Sequence, residues 1–490
     1  MLFKALNKKD LTLLTKRRSQ SALEYMMTYG WAILIIVIVA VILYSMGIFN
    51  PSSSVTFTSS GFSPFTVSSS LCNNLGYKIA IIAGPIPNNA NSITINKVFV
   101  TSATGANTTT ASYTLTNPVT LKSGQSTTII IPNVACNAAN VHYSLSAKIE
   151  YSYTAGTLGL QYVNTSGTIA GTSISGKPSV LTTYEPITIT NTQSSATPNP
   201  FQQMVNFTSA DPGFSSIATG NFGQNVEFFY YNGTVIPSWL ENYTSTNAIW
   251  WLKIAAIPAG SSETIYVGFA PSSVNLFDGV DVGEAPQLSS TYAKYDDGAN
   301  VFDFYDNFNG TTLSSKWTVI SSGYIINNGI SFPANSNAQI TTKASFSAPA
   351  IFEMFAKYTS VGSSSGNVLG VMFLASSDSS IPTYTIGWHA YQDYFTGGDW
   401  QLQSWPEFSP QPSLNTYYVW SIIWNNTLDG IEEYNYSHAE VPSPYTSISS
   451  VYLSLLEQND GNSAFSVSWV RVRAYPPNGI MPSVTFGSVS

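Results

Sequence analysis

The chain has 490 residues, of which 44% are hydrophobic, 13% aromatic and only 9% charged, with a formal net charge of -8. About 150 residues per domain predicts three domains, and the aromatic content argues against general disorder. The acidic balance argues against nucleic-acid binding, which needs clustered cations, and a single long apolar segment argues against a polytopic transporter.

Six of the 18 lysines and arginines are Lys4, Lys8, Lys9, Lys16, Arg17 and Arg18, and the next is Lys78. Between them, Tyr25 to Phe49 carries no charge. As a helix this stretch would measure about 37 Å, enough to span a bilayer with some tilt. The cations before it predict a single-pass protein of the cell membrane, with residues 1–24 cytoplasmic and the C-terminus extracellular. Asn50-Pro51 stops the helix. The apolar run is too long for a secretory signal peptide, and Tyr44-Ser-Met-Gly-Ile is a poor cleavage site. A plain uncleaved anchor stays open. Against it stands Glu24, because an unpaired carboxylate drawn into the membrane costs on the order of 3 kcal/mol. A cut between Ser19 and Gln20 would place a new amine beside that carboxylate.

Lys16-Arg-Arg-Ser-Gln20-Ser-Ala-Leu-Glu24-Tyr25 resembles the archaeal class III, type IV prepilin-like signal. Ser19 departs from the glycine that often precedes the cut in that family. The resemblance implies a leader at 1–19 removed by a prepilin peptidase and a membrane or filament helix at 20–49. It also implies assembly with further copies or other pilins, aligned by Glu24, in a surface filament.

From Val55 onward, short alternating and β-branched runs recur between turn signals, which predicts a mainly β exterior of three consecutive β-sandwich, jelly-roll-like domains. Small-residue breaks at Gly167 to Pro178 and Asp278 to Gln287 divide it into 51–170, 178–285 and 291–490. The first part holds the only cysteines, Cys72 and Cys136. On an exported chain they most simply form one disulfide, worth about 4 kcal/mol for a loop of about 65 residues. A redox pair would use a C-x-x-C spacing, which is absent.

In the second part, Val235-Ile-Pro-Ser-Trp239-Leu-Glu241, Ile249-Trp-Trp-Leu-Lys-Ile254 and Ile257-Pro-Ala-Gly260 through Thr264-Ile265-Tyr266 look like the domain-of-unknown-function family 2341, a β module of exported proteins. That resemblance implies a sandwich and carries no catalytic residues over. The third part opens with Asp306-Asn-Phe308-Asn-Gly-Thr-Thr-Leu313-Ser-Ser-Lys-Trp317 and closes with Phe465-Ser-Val-Ser-Trp-Val-Arg-Val-Arg473. Both are similar to concanavalin-like (laminin G-like) jelly rolls, a fold that hosts lectins and glycosidases alike.

The inventory for chemistry is thin. His142, His389 and His438 lie far apart, with no metal-ligand spacing. Gly124-Gln-Ser126 and Gly260-Ser-Ser262 lack the second glycine of a nucleophile elbow and read as hairpin turns. A glycosidase needs two facing carboxylates. No E-x-D-x-E strand occurs, and Glu432 and Glu433 are adjacent, so on a strand they point to opposite faces. No catalysis is therefore expected, with a surface glycosidase as the lesser alternative. No cofactor is expected either, unless Asp296, Asp297, Asp303 and Asp306 bind Ca²⁺ rather than forming an acidic solvated linker. Aromatic residues concentrate between Trp388 and Trp424. Tyr418, Trp420, Ile422 and Trp424 alternate as a buried face does, which leaves Trp400, Trp405 and Tyr394 as candidates for stacking on an extracellular glycan. The expectation is a pilus subunit or adhesin without catalysis, or else a monomeric membrane-anchored binding protein.

Overall fold

A computed structural model describes Tyr29, and from residue 57 to 490 all but 88–89, 108–109, 132, 137, 278–281, 285–294, 361–368, 376–385, 392–393, 400–411, 426–430, 435–436, 441–449 and 458–463. It gives backbone alone for the strands Val282–Glu284, Leu369–Ala375, Ile386–Tyr391, Tyr394–Asp399, Ile431–Tyr434 and Ser437–Glu440. The described chain is mainly β, as expected, and forms two compact units, Met1–Gly176 and Lys177–Ser490. Among the described residues no helix is long and apolar enough to cross a membrane. Ser19, Gln20 and Glu24 lie outside the described residues.

The N-terminal unit is a sandwich. One sheet has the order Thr58–Gly61, Leu160–Thr172, His142–Thr154, Ile93–Thr104 and Ala111–Leu121, and the other pairs Phe65–Asn73, Gly76–Ala83 and Ser126–Ile131. His142–Thr154 alternates without interruption, burying Tyr143, Leu145, Ala147, Ile149 and Tyr151. Two other strands change phase. In Ile93–Thr104 the core receives Ile93 and Ile95, then Val98 and Val100, because a bulge falls between Ile95 and Lys97. In Phe65–Asn73 a bulge between Val67 and Ser69 turns Cys72 onto the face that Phe65 and Val67 already occupy. There Cys72 meets Cys136 across a Cα–Cα distance of 5.6 Å in a disulfide, as the sequence led one to expect. Both residues are buried in the core.

The C-terminal unit contains two sandwiches. In the first, Phe201–Thr208, Asn247–Ile254, Ser238–Tyr243 and Val282–Glu284 face Val226–Phe229, Ser261–Phe269, Thr183–Asn191 and Ser483–Phe486. The last of these strands corrects the expected boundaries. Residues 291–490 were expected to form one domain, but Ser483–Phe486 pairs with Ile187 to Thr190 in the preceding sandwich. Its Phe486 ring lies 4.4 Å from that of Phe207. The polypeptide thus leaves the first sandwich, builds the second and returns to close the first.

The second sandwich is jelly-roll-like. Its larger sheet is centred on Ala350–Ser360, flanked by Ala464–Ala474 and Tyr418–Trp424. The other sheet runs from Trp317–Ser321 through Gln339–Thr342, Tyr452–Leu456, Leu369–Ala375 and Ile386–Tyr391 to Tyr394–Asp399. Phe352, Met354, Trp420, Ile422, Trp424, Leu453 and Leu455 fill the core between them.

Candidate functional site

The two faces of Ala350–Ser360 do different work. Phe352 and Met354 enter the jelly-roll core, while Glu353 and Phe355 point the other way, toward the first sandwich. On the neighbouring strand Ala464–Ala474, the register shifts as it passes Ser468. Phe465 and Val467 face the core before the shift, and Val470 and Val472 after it. The bulge therefore swings Trp469, Arg471 and Arg473 out of the core and onto the seam between the sandwiches.

Charge is concentrated at that seam. Arg471 Nε donates to Glu353 Oε2 at 2.5 Å and its Nη1 to Glu241 Oε2 at 2.7 Å, while Arg473 Nη2 donates to Glu353 Oε1 at 2.8 Å. Glu241 also accepts from Trp251 Nε1 at 2.6 Å. The Arg471 guanidinium carbon sits 4.5 Å from the Trp251 ring centroid, 4.6 Å from Trp469, 4.9 Å from Phe302 and 5.4 Å from Trp239. Aromatic faces offer a desolvated guanidinium negative potential that water would otherwise supply. Burial alone would raise the Glu353 carboxyl, but the Arg471 and Arg473 guanidiniums outweigh it and hold it at about 2. Arg471 thus ties Glu241 of the first sandwich to Glu353 of the second.

The predicted acidic cluster lies beside this seam and is drawn apart by protein donors. Asp296 accepts from Trp239 Nε1 at 2.8 Å, Tyr305 Oη at 2.6 Å, Asn307 Nδ2 at 3.0 Å and the Gly298 amide at 2.9 Å. Burial raises its carboxyl above the usual range, and these hydrogen bonds oppose the rise. Asp297 bonds Asn300, Asp303 bonds Gln202, and Asp306 accepts from Ser314 Oγ at 2.6 Å and Trp317 Nε1 at 2.7 Å. Among the described residues no group of three or more His, Cys, Asp or Glu side chains is placed to hold a metal ion.

Of the aromatic candidates, Trp400 and Trp405 lie outside the described residues, and Tyr394 begins the edge strand Tyr394–Asp399, known by its backbone alone. Trp420 and Trp424 are core residues. Backbone register places Glu432 opposite Ile422 and Glu433 opposite Ser421. On the smaller jelly-roll sheet, Gln339, Thr341 and Ser454 form a row of hydrogen-bonded polar side chains, although all three are buried. Because Ile340, Leu453 and Leu455 face the core, alternation turns this row to the sheet's opposite face.

Sequence reasoning missed the seam. The signal it offered was two arginines, Arg471 and Arg473, alternating on one apolar strand in a chain that has few charges to place.

No family model matches the chain. It is 28% identical over 351 residues to uncharacterized protein 562 of Sulfolobus islandicus rod-shaped virus 1, an alignment covering 61% of this chain. The chain spans 58% of the length of that curated relative. Among solved structures it is similar to an endo-acting O-glycanase of the human gut microbiota, described as initiating mucin breakdown (10% identity, TM-score 0.29, 35% of this chain and 99% of that one). It is also similar to a β-1,3-glucanase from Mycobacterium marinum (13%, TM-score 0.27, 35% and 98%). A third is a family 16 glycosyl hydrolase from Mycobacterium smegmatis (12%, TM-score 0.26, 35% and 99%). The expectation of a chain without catalysis is corrected by these neighbours, which are glycan-cleaving enzymes by description, and it is not kept. At TM-scores this low they assign no activity or substrate to this chain.

Proposed function

We propose that the chain is an exported surface protein, held in the membrane or assembled through residues 20–49, that carries a stiff β body and meets carbohydrate with it. The seam carries this reading. Two sandwiches sharing a buried Arg471–Glu241–Glu353 cluster, with the chain threaded out and back between them, resist the hinge motion that ordinarily separates neighbouring domains. Such a body suits a pilus subunit or adhesin, which must transmit contact to its anchor. The Cys72–Cys136 disulfide supports export, since disulfides persist in oxidising surroundings. The prepilin-like cut after Ser19, with Glu24 beside the new amine, is the proposed route to the surface. Asp296 and Asp306 engage their oxygens with Trp239, Tyr305, Asn307, Ser314 and Trp317, so calcium is not part of the reading.

Carbohydrate contact rests on the aromatic stretch containing Tyr394, Trp400 and Trp405. The test is a panel of surface glycans offered to the full chain, read for both binding and released fragments. Binding that falls about tenfold in the Trp400→Ala/Trp405→Ala double variant is expected, since one lost stacking contact is worth about 1 kcal/mol or more. Unchanged binding in that variant would sink the contact. Released fragments would make the contact a catalytic one. Mass spectrometry of the N-terminal peptide from surface-recovered protein tests the route. A chain starting at Gln20 is expected, and one starting at Met1 defeats it.

A further inference from the structure

A cleft of about 390 Å³ opens in the C-terminal unit, with Phe302, Asp303, Phe304, Lys316 and Lys343 in its lining. That volume falls near the low end of the roughly 300–1,000 Å³ of ligand pockets, which suits a monosaccharide-sized group. Lys316 and Lys343 are neighbours by construction, because the Lys343 amide donates to the Lys316 carbonyl at 2.9 Å where two adjacent strands meet. The Lys316 ammonium is fixed by a 2.6 Å hydrogen bond to the Tyr305 carbonyl and stands 5.8 Å from the Phe304 ring centroid. Neither lysine forms an ion pair among the described residues. The chain has only eight cations from Lys177 onward, and Arg471 and Arg473 are neutralised in the seam. Two lysines against the single Asp303 carboxylate leave the lining of this cleft with a net positive charge in an acidic protein, which favours an anionic group on a ligand.

The other walls narrow the choice of anion. The buried Phe302 and Phe304 supply apolar surface. Asp303 accepts from Gln202 Nε2 at 3.0 Å through Oδ1, and its backbone is pinned by a 3.0 Å hydrogen bond from its amide to the Val472 carbonyl. Its Oδ2 accepts no hydrogen bond among the described residues. A bare inorganic anion would be repelled by that carboxylate. A ligand with a carboxylate at one end and hydroxyl donors at the other satisfies all three walls at once.

We propose that this cleft binds an acidic sugar of the uronate class. The sugar carboxylate meets Lys316 and Lys343, its apolar ring face lies on the aromatic wall, and a ring hydroxyl donates to Asp303. The inference stands apart from the contact proposed above, since Trp400 and Trp405 take no part in it and their double variant leaves it intact.

Titration calorimetry of the full chain in detergent, with glucuronate, glucose and inorganic phosphate as probes, decides the matter. Glucuronate is expected to bind about tenfold more tightly than glucose, and the exposed-site variant Lys343→Gln to remove about that factor while leaving glucose unchanged. A second variant, Asp303→Ala, is expected to weaken glucuronate and strengthen phosphate. Equal affinity for glucuronate and glucose would overturn the proposal, as would a Lys343→Gln protein that binds glucuronate undiminished. Phosphate binding as tight as that of glucuronate in the unaltered chain would overturn the sugar assignment in favour of a simple anion site.

Discussion

Glu353 accepts from two buried guanidiniums, at 2.5 and 2.8 Å, so removing its charge leaves Arg473 without a counter-charge and Arg471 with Glu241 alone in a desolvated seam. Glu353→Gln is expected to cost about 3–5 kcal/mol in a urea titration. Replacing the cluster by apolar residues of similar volume should cost far less, because the penalty comes from the stranded charges. The two strongly shifted carboxyls also give opposite pH dependences. Glu353 lies at about 2 in the folded chain, below an unfolded value near 4.5. Its stabilisation is therefore complete above about pH 4.5 and is lost as pH falls toward 2. Glu185 lies on the central strand Thr183–Asn191, where burial raises it to about 7 against one hydrogen bond from the Gly213 amide and with Asp211 adding to the rise. Its neutral form suits the fold, so its contribution is complete below about pH 4.5 and is lost as pH rises to 7. Glu185→Gln should accordingly add on the order of 2 kcal/mol at pH 8 and almost nothing at pH 4. An equal effect at both pH values would show that its carboxyl is not shifted.

Single inserted residues decide what each strand presents, and here the limit of sequence reading is plainest. Regular alternation in His142–Thr154 and in Tyr418–Trp424 is legible directly, and Trp420 and Trp424 sit in the core as that alternation implies. In Phe465 to Arg473 the same period-2 reading puts Arg471 and Arg473 on the face of Phe465 and Val467, inside the core. The shift at Ser468 moves them to the seam instead. The sequence carries no local sign of that bulge, which shows only in the pairing with the partner strand Ala350–Ser360. Cys72 owes its place to a comparable shift, at Val67 to Ser69. The cysteine pair itself was legible because its only alternative lacked the required spacing. A Cys72→Ser/Cys136→Ser chain should lose about 4 kcal/mol, given a sequence separation of 64 residues. Chemical denaturation should show the loss in the N-terminal unit and leave the transition of the C-terminal unit where it was.

At the scale of the whole molecule, the mainly β, sandwich-like build was legible from turn spacing, but the return of the chain was not. Ser483–Phe486 is a short, half-buried strand whose partner, Ile187 to Thr190, lies almost 300 residues earlier, and no periodicity reports a partner at that distance. The consequence is mechanical. The strand closes one edge of the first sandwich, and Gln203 Nε2 reaches the Pro482 carbonyl at 3.1 Å from the other sheet of that sandwich. Just upstream, the Ala474 amide donates to Gln202 at 2.9 Å, and Arg471 holds both sandwiches. Opening the edge should therefore propagate through Pro482 and Ala474 to the seam rather than stop at the first sandwich. Removal of residues 483–490 is expected to raise hydrogen exchange in Thr183–Asn191 first, and in Ala350–Ser360 with it, because regions that share buried contacts open as one cooperative unit. If exchange rises in Thr183–Asn191 while Ala350–Ser360 keeps its protection, the two sandwiches are independently stable. The stiff-body reading would then fail, and with it the reason for assigning this unit a load-transmitting role.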